Sequence, residues 1–136
     1  MARVLLFLIF LVTLSAQAPP ELQLKRVVAI EYPWLARMAF MQGTVELIVT
    51  VSGDGIVKDV QRVSGPSLLA DPTKETVSRW LFSGCEKTTG CETKIVISFS
   101  LSGRLCAASE NCPGEFQIDL PNIVTVKAHR MRAIVN

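Results

Sequence analysis

Between Thr44 and Ser52 apolar and polar side chains alternate without a break. Val45, Leu47, Val49 and Val51 fall on one side, and Thr44, Glu46, Ile48, Thr50 and Ser52 on the other. A period of two is the signature of a strand with one buried face. The pattern returns from Thr93 to Leu101, where Ile95, Ile97, Phe99 and Leu101 oppose Lys94, Val96, Ser98 and Ser100. After the first run comes Gly53-Asp54-Gly55, whose residues tolerate the positive φ of a hairpin turn. Ile56 to Ser64 then reads as the return strand. Its alternation slips around Lys58-Asp59, the mark of a bulge.

Elsewhere the spacing becomes helical. Trp34, Leu35, Met38 and Met41 recur at a helix period behind Pro33, and Gly43 supplies a stop. Asp71 reads as an N-cap with Pro72 as first helical residue, and the helix continues to about Leu81. Its stripe is Thr73, Val77, Trp80 and Leu81, with Trp80 read as core rather than as a ligand platform. Pro19 to Ile30 leads in as a short strand or an extended arm. Beyond Leu101, Phe116–Leu120 and Ile123–Ala128 read as two short strands around Pro121-Asn122. Lys127, His129, Arg130 and Arg132 form a basic cluster, read as a solvated end.

Composition changes the picture at the N-terminus. Met1-Ala2-Arg3, an apolar run from Val4 to Leu14 and the small residues Ser15-Ala16-Gln17-Ala18 have the build of a secretory signal peptide. The run is about half the ~20 residues a membrane-crossing helix needs. An uncleaved anchor is the alternative, because Pro19-Pro20 follows the cleavage motif directly. Loss of residues 1–18 removes Arg3 from 14 Lys+Arg and nothing from 12 Asp+Glu, leaving +1. A near-neutral surface gives no electrostatic reason to bind nucleic acid.

Cysteine usage agrees with export. Cys85 and Cys91 enclose five residues, as do Cys106 and Cys112. Of the three possible pairings, the two local bridges suit an oxidising compartment. A zinc site would need closer cysteine spacing, and the one histidine, His129, lies far down the chain. That single histidine also leaves no ready nucleophile–base constellation, and Asp54 and Asp59 sit at a hairpin. The chain reads as a non-enzymatic protein without cofactors.

The ordered set Tyr32-Pro33, Gln42-Gly43-Thr44-Val45, Gly53-Asp54-Gly55-Ile56-Val57, Val60, Ser64-Gly65, Arg79-Trp80-Leu81-Phe82 and Ile95-Val96-Ile97-Ser98-Phe99 resembles the C-terminal domain family of TonB, over roughly residues 24–103. The resemblance implies an α+β fold: a small antiparallel sheet of three or more strands with two helices packed on one face. Residues 1–18 are then the signal peptide, 19–103 the TonB C-terminal-like domain, and 104–136 an extension with extra strands.

The family binds an extended segment of an outer-membrane protein by strand addition, because an edge strand offers unpaired N–H and C=O groups. Carried over by position, the accepting edge is Thr93–Leu101, with Lys94, Val96, Ser98 and Ser100 as the side chains that bias partner choice. Homodimers through sheet edges are the other association such a sheet permits. The alternative is that residues 116–128 close this edge within the chain. The protein would be periplasmic or secreted, or held at the inner membrane if the signal is retained.

Three features depart from the family: the long proline-rich linker is missing, the cysteine pairs are additional, and Ser83-Gly84-Cys85 replaces a proline-containing turn. The other functional readings are a short-tethered inner-membrane accessory of a TonB-like transport complex and a disulfide-stabilised structural or interaction protein.

Overall fold

A computed structural model of the chain describes residues 22–86, 88–107, 110–119 and 122–132. The proposed signal peptide lies outside the described residues. The elements are β1 (Gln23–Arg26), α1 (Trp34–Met38), β2 (Gly43–Val51), β3 (Val57–Ser64), α2 (Ser67–Val77), β4 (Leu81–Ser83), β5 (Cys91–Cys106), β6 (Glu115–Asp119) and β7 (Ile123–Met131). This is the α+β class, with a two-stranded β1–β4 sheet and a five-stranded sheet in the order β3-β2-β5-β7-β6. All neighbours are antiparallel except β5 and β7, so the large sheet is mixed.

The alternating runs fold as their period dictates. Val45, Leu47, Val49 and Val51 of β2 and Ile95, Ile97 and Phe99 of β5 are buried, and Leu69, Ala70 and Val77 of α2 pack into the same core. The β2–β3 hairpin closes through Ser52 N–H to the Ile56 carbonyl at 2.9 Å. Thr50 pairs with Asp59 but Val51 with Val57, so Lys58 is the extra residue of the bulge. A second register shift, between Glu46 and Leu47, turns Val63 outward to 52% exposure. Gly55 sits at φ +84°, where a Cβ would lie 1.9 Å from the Phe82 carbonyl oxygen. Glycine there lets the hairpin touch β4, and Phe82 N–H donates to the Gly55 carbonyl at 2.8 Å.

Both helices differ from their spacing. α1 is one and a half turns long and buries only Ala36, while Trp34 and Leu35 are 52% and 61% exposed. It ends at Met38 with Ala39 as C-cap, and Phe40 just beyond takes a left-handed φ of 52°. α2 starts at Ser67, four residues before Asp71, and keeps Pro72 inside. Proline there forfeits a backbone hydrogen bond. Burial of Leu69, Ala70, Thr73 and Val77 along one face offsets that loss. The helix stops at Val77, and Leu81-Phe82 belong to β4. Trp80 is buried, with its indole N–H donating to the Val28 carbonyl at 2.8 Å, which fixes the N-terminal arm over the core.

The boundary drawn at residue 103 falls inside β5, which runs on to Cys106. The extension completes the same sheet: Val124, Val126 and Ala128 are buried in its core, with Phe116 and Ile118 packed against it. Cys85–Cys91 and Cys106–Cys112 are both disulfides, with Cα separations of 5.8 and 6.4 Å.

Candidate functional site

Strand addition requires an edge, so the sheet order decides where a partner has room. The strand carrying Lys94, Val96, Ser98 and Ser100 is internal. β5 pairs with β2 from Cys91 to Phe99, and from Val96 onward its other side pairs with β7. The expected open edge at Thr93–Leu101 is therefore closed from Val96, because residues 123–131 supply the strand that a partner would have supplied. Short of that, the Asn122 side-chain amide donates to the Lys94 carbonyl at 2.9 Å, and Val96 N–H donates to the Asn122 carbonyl at 3.0 Å.

Is β7 a removable plug or part of the core? Val124 and Val126 are 1% and 2% exposed. Burying an aliphatic side chain is worth roughly 1.5–3 kcal/mol. Withdrawing these two alone would cost about 3–6 kcal/mol, against typical domain stabilities of about 5–15 kcal/mol. Arg37 of α1 adds two hydrogen bonds to the His129 carbonyl, from Nε at 3.2 Å and from a terminal guanidinium nitrogen at 3.0 Å. Gln42 contributes from the other side: its Oε1 accepts Leu101 N–H at 2.8 Å, just beyond the end of the β2–β5 pairing. β7 is a structural strand.

On the sheet face opposite the core, Lys94 is exposed and the side chains of Val96, Ser98 and Ser100 lie half-buried. Lys94 Nζ is 3.2 Å from Glu46 Oε2 across β2. The basic residues read as a solvated end instead belong mostly to β7. His129 Nδ1 lies 2.5 Å from Ser102 Oγ, and Arg130 stands 6.0 Å over the Phe40 ring. The Ser102–His129 contact is exposed, and the histidine's own carbonyl is bound by Arg37, so the pair reads as packing at the end of the sheet. Cys106, Glu110 and Cys112 cluster closely enough to suggest a metal site, but the Cys106–Cys112 bridge leaves no thiolate to bind one.

In the five-stranded sheet the outer strands among the described residues are β3 and β6, besides the short flank of β5 ahead of Val96 that β7 does not reach. β3 is shifted twice in register and carries Lys58, Asp59 and Arg62. Bulges and charges of this kind guard an edge against pairing. β6 pairs with β7 through five successive residues without a shift. Its far side is regular, and half of an antiparallel edge strand's backbone groups point away from its neighbour. Local sequence marks β6 and β7 as strands, and the length of their apolar stripes is the one local hint of which lies outermost.

A second surface lies over the helices. Pro33, Trp34, Leu35, Ser67, Leu68, Asp71 and Pro72 line a shallow apolar groove of about 430 Å³. Beside it, Tyr32 is buried and donates its hydroxyl to the Met41 carbonyl, and burial raises its pKa to about 12 against the lowering effect of Arg37. Among the described residues no helix is long and apolar enough to cross a membrane.

A search of curated proteins finds no match. Residues 28–101, from the arm ahead of α1 to the middle of β5, match the family model described as Gram-negative bacterial TonB protein C-terminal. The match takes in both helices, the β2–β3 hairpin, β4 and the first part of β5, more than half of the chain, and the protein belongs to that family.

Proposed function

We propose that this protein is an exported module that captures an extended segment of an outer-membrane or other envelope protein by strand addition, with β6 as the accepting edge. Its family is a periplasmic, non-enzymatic interaction domain whose partners are outer-membrane proteins. The observation that carries the proposal is the sheet order, with β5 inside and an unshifted β6 outside. The mode of action implied by the family resemblance is kept, and the acceptor moves two strands outward. An incoming segment at β6 would pair with backbone groups that no other described strand engages. Lys94, Val96, Ser98 and Ser100 would contribute only to a partner that also lies across the open face.

Amide NMR of the oxidised chain, titrated with extended peptides from outer-membrane proteins, tests this. Shifts should concentrate in residues 115–119. Shifts confined to residues 93–101 would return the acceptor to β5, and shifts confined to the α1–α2 groove would replace strand addition with side-chain docking.

A further inference from the structure

The β6 edge has a charge pattern that restricts what can pair with it. Glu115, Gln117 and Asp119 are exposed on the open face, while Phe116 and Ile118 are half-buried on the core side. On β7, Glu115 is opposite Lys127 and Asp119 is opposite Ile123. Gln117 Nε2 donates to Asp119 Oδ1 at 3.0 Å. The nearby Glu110 is 3.8 Å from an Arg104 guanidinium nitrogen. Two carboxylates therefore flank the outer edge, one at each end.

We infer that β6 selects an extended segment with the five-residue pattern basic–apolar–any–apolar–basic, and that it rejects a second copy of itself. The inference rests on strand addition at β6. In an antiparallel pair, residues directly opposite share a face, and opposite charges there attract while like charges repel. A basic residue opposite Glu115 and another opposite Asp119 would meet carboxylates on the open face. Apolar residues opposite Phe116 and Ile118 would extend the core-side layer by one strand. The pattern is the same read in either direction, so the charge rule does not depend on the partner's polarity.

A second copy fails the same rule. The two-fold register that pairs all five residues sets Gln117 against Gln117, and Glu115 against Asp119 at both ends. Each end would bring two carboxylates together, the kind of charge placement that keeps natural edges from self-pairing.

Two synthetic peptides with identical alternating apolar residues test the inference on the full oxidised chain, one with lysine and the other with glutamate at the two flanking positions. Binding is followed through the amides of residues 115–119. The lysine peptide should bind about 2- to 30-fold more tightly, from two cross-strand charge pairs. In the double variant Glu115→Gln, Asp119→Asn the preference should fall to near unity while the apolar binding persists. Equal binding of both peptides at residues 115–119, or a preference that survives in the double variant, overturns the charge rule and leaves strand addition standing. Absence of shifts at 115–119 with either peptide overturns strand addition at β6 itself. Sedimentation should show no self-association through β6, and a wild-type dimer with protected 115–119 amides would overturn the exclusion of a second copy.

Discussion

Replacing Val126 by Ala tests whether β7 is built into the core or merely leans on it. Val126 is 2% exposed and sits in register with Phe99 of β5 on one side and Phe116 of β6 on the other. The substitution removes two carbons, about 1.6 kcal/mol of transfer free energy at ~0.8 kcal/mol per buried carbon. If the aromatic neighbours do not collapse inward, roughly 50 Å³ of space adds about 1.2 kcal/mol at ~24 cal/mol per Å³. Partial relaxation brings the expected loss to about 2–3 kcal/mol, a large share of an ordinary domain's ~5–15 kcal/mol. Urea unfolding under oxidising conditions reads this as a midpoint about 1–2 M lower with an unchanged slope. Lys127→Ala, on the exposed face of the same strand, should stay within about 0.5 kcal/mol of wild type. A Val126→Ala protein as stable as that control would mean that β7 does not seal β5, and the acceptor edge would revert to Thr93–Leu101.

Gly55→Ala should cost about 2 kcal/mol or more, because it combines a left-handed φ with a Cβ driven into the Phe82 carbonyl; a thermal midpoint equal to wild type would refute the close hairpin–β4 contact. Tyr32 is the only tyrosine, so phenolate absorbance should report an ionisation near pH 12 rather than near 10. Its folded pKa is raised, so its contribution is intact below about pH 10 and is lost as pH climbs toward 12. Tyr32→Phe should flatten that alkaline decline, and a single titration near pH 10 in the folded protein would refute the burial argument. Reducing the Cys85–Cys91 and Cys106–Cys112 bridges should lower stability by roughly 2 kcal/mol each, given their short loops; unfolding curves unchanged by reductant would contradict a structural role.

The parts legible in the sequence are those where one local period governs the fold. The alternation of Val45, Leu47, Val49 and Val51, and of Ile95, Ile97 and Phe99, marks their buried faces directly. The slip at Lys58-Asp59 locates a bulge that the register places at Lys58. The helices were harder because their signals compete. Trp34 and Leu35 follow a helical period, yet α1 is too short to turn both inward, and Ala36 takes the core position. Pro72 looks like a helix start because proline costs nothing there, but burial of Leu69 and Ala70 draws the helix back to Ser67. Leu81-Phe82 continue an apolar run from Trp80, although Leu81 pairs with Arg26 and Phe82 with Leu24.

The site was the least legible part. Parallel pairing of β5 with β7 needs no turn between them and leaves no local mark. Only the longer buried stripe of Val124, Val126 and Ala128, against Phe116 and Ile118 alone on β6, hints that β7 is the inner strand.

The placement of β7 also bears on how the protein is made. β6 precedes β7 in the chain but lies beyond it in the sheet, so the later strand must enter a slot between two earlier ones. The connection from β5 to β6 must span that slot, and the Cys106–Cys112 bridge ties its start. Val96 meets Ile123, a partner 27 residues further on, so pairing here is slow compared with a hairpin. A chain emerging N-terminus first presents the bare flank of β5 to whatever lies nearby until Ile123–Met131 follows. The edge that is sealed in the finished domain is therefore open during biogenesis, and the span of exposure is set by how promptly the final strand arrives.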